Sequence, residues 1–138
     1  MPQEIIYTQR VEFGDCDPAA IVWFPNFFRW IDAASRHFFI ACGVPPWNET
    51  EKTLGVIGTP LVDTHARFVK TASYGDILQL HVSIAEWRGK SFVQRYRVMR
   101  GEDLIMECDE VRIFAGRREG GGIRALEIPQ EIRERCSG

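Results

Sequence analysis

PNFFRWIDAASRHFFIAC, residues 25 to 42, decides how the rest of the chain has to be arranged. Proline is favoured at the first position of a helix, and Gly43-Val44-Pro45-Pro46 stops the element, so the stretch is predicted to be one helix from Pro25 to about Cys42. Phe27, Ile31, Ala34, Phe38 and Cys42 recur at helical spacing, while Phe28, Trp30, Ala33, Phe39 and Ile40 widen the apolar surface well beyond a single stripe. Such a helix is buried on most of its faces. Asn26, Arg29, Asp32 and Arg36 form its one polar strip, which has to face solvent or a polar site.

On both sides of that helix the periodicity changes to that of strands. Glu4 to Phe13 (EIIYTQRVEF) is rich in β-branched and aromatic residues and ends at Gly14. Asp76 to Trp87 alternates cleanly, with Leu78, Leu80, Val82 and Ile84 on one side and Gln79, His81 and Ser83 on the other, the pattern of a half-buried strand. Lys90 to Arg100 and Leu104 to Ala115 follow after turns at Arg88-Gly89 and Gly101-Glu102-Asp103, short enough to make an antiparallel meander. Thr59 to Lys70 is expected to be another strand, and Ile123 to Ile128 a short last one after Gly120-Gly121-Gly122. With no repeat and no linker, residues 1–138 are expected to form one α+β domain, an antiparallel sheet wrapped around one long central helix. One helix covers only part of such a sheet, so a homo-oligomer is expected to cover the rest.

The composition bounds the function. A chain of 138 residues, 45% apolar and 26% charged, leaves no room for a second catalytic domain but is long enough for a core without disulfides or structural metal. Its 17 Lys plus Arg against 19 Asp plus Glu exclude a globally basic protein that coats nucleic acid or an anionic membrane, while leaving room for a local basic set. The apolar run Ala19 to Phe24 is far below the ~18 residues of a bilayer span, and Met1-Pro2-Gln3-Glu4 has no basic or apolar leader character, so a cytoplasmic location is expected. Cys16, Cys42, Cys108 and Cys136 are spaced too irregularly for a metal knuckle and are read as free thiols; a nucleophilic Cys16 has no base or positive charge near it in sequence. No pair among His37, His65 and His81 has metal-ligand spacing, and no metal is expected.

The chemistry centres on DCDPAAIVWFPN, residues 15 to 26. Two carboxylates stand in a loop before a helix N-terminus, where exposed N–H groups and the positive end of the helix dipole meet anionic or polarised ligands. One aspartate can act as nucleophile or general base on a carbonyl whose developing oxyanion is held by a backbone N–H. Pro25 has no N–H, which makes Phe24 and its neighbours the donors. On spacing alone, turn and capping residues are the favoured reading of Asp15 and Asp17. The DxD pattern of aspartyl-phosphate phosphatases belongs on a parallel sheet, and this chain lacks alternating strand and helix units.

VEFGDCDPAAIVWFPNFFRWIDAASRHFF closely resembles the start of the 4-hydroxybenzoyl-CoA thioesterases of the hotdog-fold superfamily. The resemblance continues in CGVPPW (42 to 47), GTPLV (58 to 62), TASYGDIL (71 to 78), EWRGKSFVQRYRV (86 to 98), DEVRIFA (109 to 115), RALEIP (124 to 129) and CSG (136 to 138). It implies the hotdog fold and hydrolysis of an aromatic acyl-CoA thioester, 4-hydroxybenzoyl-CoA or a close benzoyl-CoA relative. By position it makes Asp17 the catalytic carboxylate and the Phe24 N–H the oxyanion donor, at a position where this family usually has tyrosine. Asp32 and Thr59 match the ring end of the acyl pocket, the other reading of Asp32 being a helix ion pair with Arg29 or Arg36; Trp23 is assigned to substrate binding as compatible with an aromatic pocket, with a core residue as its equal alternative. His65, in the departure Asp63-Thr64-His65, is assigned to substrate binding, with a structural strand histidine as its alternative, and His37 and His81 read as surface or rim residues.

Arg88, Lys90, Arg95, Arg97 and Arg100, with Arg117, Arg118 and Arg124, form the local basic set, which is either the solvated face of a meander or a phosphate site. The resemblance assigns Arg88, Lys90 and Arg124 to the phosphates of CoA, by charge-assisted hydrogen bonds. Coenzyme A is then part of the substrate, and no separate cofactor is implied. The resemblance further implies a dimer as the working unit and a tetramer as the assembly, with neither nucleic acid nor membrane as partner. A short-chain or fatty acyl-CoA thioesterase, and a noncatalytic module binding acyl-CoA or acyl carrier protein, are the rival functions.

Overall fold

The computed structural model describes residues 3–137, so Met1 and Pro2 of the N-terminal reading and Gly138 of the closing CSG lie outside the described residues. The elements in chain order are β1 (Glu4–Arg10), α1 (Pro25–Ala41), α2 (Trp47–Leu54), β2 (Leu61–Phe68), β3 (Ile77–Trp87), β4 (Ser91–Arg100), β5 (Asp103–Arg117), β6 (Ile123–Leu126) and α3 (Gln130–Arg135). All strand pairings are antiparallel, and the main sheet runs β1-β3-β4-β5-β2. β3, β4 and β5 form the expected meander. β1 joins it on one side, whereas β2, which lies between β1 and β3 in sequence, pairs with the far side of β5.

The core is the contact between α1 and one sheet face. Ile31, Ala34, Phe38 and Phe39 are fully buried, as are Leu78, Leu80 and Val82 of β3 and Phe92, Tyr96 and Val98 of β4. Alternation in β3 and β4 delivers these residues to the helix side and leaves Gln79, Arg95 and Arg97 outside. Ala33 and Ile40 of α1 are exposed, so the helix is covered on one side rather than on most faces. Asn26, read as part of the polar strip that faces solvent or a polar site, is buried, because its side chain is used to bind the preceding loop.

Several boundaries differ from the sequence reading. β1 stops at Arg10 because the Glu12 N–H donates to Asp15 Oδ2 at 2.8 Å, folding Phe13–Asp15 into a 3₁₀ turn. Thr59 precedes β2 rather than opening it. α2 and α3 were not anticipated. α2 is a polar helix that buries only Thr50, starting after Pro46 and closing on Gly55 in the left-handed region (φ 76°), so apolar periodicity does not reveal it.

β5 outruns β4, whose pairing ends at Ser91 opposite Ile113. β6 takes over from there, with Leu126 opposite Phe114 and Ile123 opposite Arg117, while Gly58 bridges to Ala115. This places the turn at Arg88–Lys90 against the segment after β6, where the Ile128 N–H donates to Gly89 O at 3.0 Å.

Candidate active site

The loop before α1 is a small closed structure. Cys16 and Val22 form an antiparallel bridge, the Asp17 N–H donates to Ile21 O at 2.9 Å, and the Ala20 N–H donates to Asp17 O at 2.9 Å. The tight reversal puts Ala20 at φ 66°, a conformation that L residues rarely adopt. Asn26 of α1 fastens the loop to the helix by donating from Nδ2 to Asp15 O at 2.8 Å, and the Trp23 N–H donates to the same segment at 2.9 Å.

The two aspartates separate at this point. Asp15 is a capping residue, its carboxylate bonded to the Glu12 N–H. Asp17 commits one oxygen to the Ala19 N–H at 2.8 Å, and no hydrogen bond is found to its other oxygen among the described residues. Phe24 is the N-cap of α1, and no acceptor for its N–H is found among the described residues, although the Trp23, Asn26 and Phe27 N–H groups are all bonded. A half-buried carboxylate with an uncommitted oxygen therefore shares a hydrogen-bonded loop with an N–H at a helix N-terminus that has no acceptor among the described residues. Trp23 and Phe24 leave 55% and 59% of their surface exposed beside it.

A cavity of about 780 Å³ opens between the polar strip of α1 and the start of β2, bordered by Phe28, Asp32, Trp47, Thr59, Leu61 and Arg112. Asp32 and Thr59 are thus brought together, and their connection is Arg112, which sequence reasoning missed. Its Nη2 donates to Asp32 Oδ1 at 3.1 Å, its Nη1 to Thr59 O at 2.9 Å, and its Nε to Glu110 Oε1 at 2.8 Å. The ion pair of Asp32 is therefore with Arg112, not with Arg29, which instead donates to Asn26 Oδ1 at 3.1 Å. Burial works against the Arg112 guanidinium, but its bonds to Glu110 and Asp32 and the surrounding charges outweigh that and raise its pKa. Burial, reinforced by the Glu110 charge, holds the adjacent Tyr96 hydroxyl protonated. A signal was present in the sequence: Cys108, Glu110, Arg112 and Phe114 share one face of β5, so two charges interrupt a core-facing row.

Asp17, Trp23 and Phe24 do not border that cavity within one chain. Neither does His65, which pairs with Asp109 on β5 and lines a separate, smaller cavity with Arg67, Arg95 and Arg97. The reason is parity: Thr64, paired with Glu110, borders the cavity, so its neighbour His65 points to the other side of the sheet.

The basic set does not form one patch. Arg95 pairs with Asp109 at 2.9 Å, Arg97 with Glu4 at 3.7 Å, and Arg100 with Asp76 at 2.9 Å. Arg88 pairs with Glu86 at 3.0 Å, while Lys90 and Arg124 are exposed and among the described residues have no salt bridge. Arg88, Lys90 and Arg124 lie at the end of the sheet where β6 takes over from β4. Among the described residues no helix is long and apolar enough to cross a membrane.

A model of the thioesterase-like superfamily matches residues 11–136. The chain belongs to that superfamily. This thioesterase-like chain is 54% identical over 142 aligned residues, 99% of its own length and 100% of the relative's, to 4-hydroxybenzoyl-CoA thioesterase of Pseudomonas sp. (strain CBS-3). It superposes with a TM-score of 0.93 on a crystal structure of an Asp-to-Asn mutant of 4-hydroxybenzoyl CoA thioesterase complexed with 4-hydroxybenzoyl CoA, at 51% identity over 97% of this chain and 99% of that one. A gentisyl-coenzyme A thioesterase matches at 28% identity and a TM-score of 0.83, covering 96% and 100% of the two chains. The α+β hotdog fold is thereby established, as the sequence pattern and the resemblance both predicted.

Proposed function

We propose that this chain is an acyl-CoA thioesterase that hydrolyses an aromatic acyl-CoA, 4-hydroxybenzoyl-CoA or a close benzoyl-CoA relative, to the free acid and CoA. The observation that carries the reading is the full-length 54% identity to a 4-hydroxybenzoyl-CoA thioesterase. Asp17 uses its uncommitted oxygen either to attack the thioester carbonyl or to take a proton from the attacking water. The Phe24 N–H, at the positive end of α1, holds the oxyanion, and CoA leaves as the thiol. The replacement of an aspartate in the relative that was complexed with its 4-hydroxybenzoyl CoA supports the role of Asp17. Phenylalanine in place of the family's tyrosine leaves the backbone donor unchanged.

Asp32 and Thr59 receive the ring in the cavity beneath α1, with Trp23 at its approach, and Arg88, Lys90 and Arg124 hold the phosphates of CoA. Because Asp17 does not border the cavity of its own chain, the working unit is a dimer in which Asp17 of one chain faces Asp32 and Thr59 of the other, and two dimers make a tetramer. The exposed edge strand β2, with Leu61 and Val62, supports such an association. CoA is the only cofactor-like group involved, as part of the substrate. Free thiols at all four cysteines accord with a cytoplasmic enzyme.

A hydrolysis panel tests the reading. Benzoyl, hydroxybenzoyl, aminobenzoyl and phenylacetyl thioesters of CoA are expected to outrun aliphatic ones, and a clear preference for aliphatic chains would sink the aromatic assignment. A single turnover in heavy-oxygen water separates the two roles of Asp17: label first retained in its carboxylate marks an anhydride, and label only in the product marks a general base.

A further inference from the structure

We propose that Arg112 is a positioning residue for the acyl pocket: its guanidinium ties Asp32 on α1 to the Thr59 carbonyl before β2, and thereby sets which ring substituents the pocket accepts. The inference rests on the aromatic acyl-CoA reading above and adds to it a residue that touches no reacting atom.

The geometry is that of a clamp. Arg112 is 5% exposed, and its planar fork donates to acceptors on three segments: Glu110 on its own strand, Thr59 in the loop before β2, and Asp32 on α1. A guanidinium holds its N–H groups in fixed relative directions, so acceptors that share one are fixed relative to each other. Lysine, a point charge on a flexible stem, can satisfy one of them without fixing the others.

The clamp is anchored from behind. The Tyr96 hydroxyl donates its single proton to Glu110 Oε1 at 2.7 Å, and its oxygen lies 2.9 Å from Gln94 Oε1, which accepts the Ser35 hydroxyl at 2.6 Å. Ser35 and Asp32 are three residues apart, neighbours on one helix face. A row of close polar contacts thus runs from Ser35 of α1 across β4 and β5 and back to α1 at Asp32, around the inner wall of the cavity.

The consequence falls on Asp32. Its side chain is 76% exposed, and without a partner such a carboxylate samples several rotamers in solvent. Arg112 holds Oδ1, and no partner for Oδ2 is found among the described residues. Oδ2 is then an oriented acceptor bordering the cavity, which suits a ring bearing a hydroxyl donor and gives nothing to an unsubstituted ring.

The test compares kcat/KM for 4-hydroxybenzoyl-CoA and benzoyl-CoA in the parent and in Arg112→Met, Arg112→Lys, Asp32→Asn and the Arg112→Met/Asp32→Asn double variant. In Arg112→Met the preference for the hydroxylated ring is expected to fall by about tenfold or more, kcat/KM for 4-hydroxybenzoyl-CoA dropping further than that for benzoyl-CoA by that factor. Arg112→Lys is expected to lose most of that preference too. The double variant is expected to be no worse than the worse single one, because both changes remove one oriented acceptor. Arg112→Met strands the buried Glu110 carboxylate, so Glu110→Gln/Arg112→Met, which removes both charges, carries the same expectation if the single variant does not fold. Equal losses for the two substrates, an unchanged preference, or additive effects in the double variant overturn the inference while leaving the aromatic reading intact. A parent enzyme that prefers aliphatic thioesters overturns both.

Discussion

An Asp17→Asn substitution keeps the bond from the Ala19 N–H and removes only the charge and basicity of the second oxygen. Hydrolysis is expected to fall by roughly 10²–10⁴-fold while binding of the intact thioester persists, measured as kcat against a directly titrated Kd. Phe24→Pro isolates the other partner. Phe24 has φ −54°, a value that proline adopts, and its N–H serves no acceptor among the described residues, so the fold is expected to survive while kcat drops by roughly 10²–10³-fold. A thermal melt alongside the kinetics checks both halves. The thiols offer a pH test. Burial pushes the Cys108 thiol from 9.0 up to about 11, so below pH 9 it is protonated in folded and unfolded chains alike. Between about 9 and 11 only the unfolded chain ionises there, and the contribution of Cys108 to stability is expected to decline as pH rises through that window. Urea titrations of the parent and Cys108→Ala at pH 8 and pH 10 measure it. At this scale the sequence alone was least informative: Asp15 and Asp17 look alike until their hydrogen bonds are drawn, and the neighbours Thr64 and His65 differ only in which side of β2 they occupy.

Among the elements, α1 and the meander were legible because each buries one face and so carries a strict period, 3.6 in the helix and 2 in Leu78, Leu80 and Val82. α2 and α3 bury one residue each, Thr50 and Ile132, and leave no such trace. The same logic explains why Arg112 escaped notice, since charge on a strand is ordinarily read as solvent-facing, and only the buried registers of Cys108 and Phe114 reveal its side. One position joins these elements. Gly116 of β5 lies where an added Cβ would come within 2.9 Å of the Gly55 carbonyl at the end of α2 and 3.0 Å of Leu126 on β6. A backbone oxygen cannot move aside as a side chain can, so Gly116→Ala is expected to destabilise the chain by about 1–3 kcal/mol. Gly14→Ala, which meets nothing within 4 Å, is the control, and urea midpoints of the two decide the matter.

For the whole molecule, the proposed dimer makes the exposed strand β2 the element expected to govern association. Val62 is 61% exposed at the irregularity in the β2–β5 register, and Val62→Lys is expected to shift the assembly toward monomer and lower activity with it. Sedimentation velocity across a concentration series reads the first effect, and specific activity over the same series the second. Net charge could not foretell how the basic residues are used, because near-neutrality arises strand by strand, as Arg95 meets Asp109 and Arg67 meets Glu107 across neighbouring strands. The strand order β1-β3-β4-β5-β2 has a further consequence, for the route by which the chain folds. β3, β4 and β5 need only close short turns, whereas β1 reaches its place beside β3 only after everything from Val11 to Asp76 has been folded back, so that Arg10 can lie opposite Ile77. Loop-closure entropy predicts that the meander forms early and that the N-terminal strand docks late. The loop carrying Asp17 directly follows that strand, so with the proposed role of Asp17 catalytic competence is expected to be among the last properties the folding chain acquires.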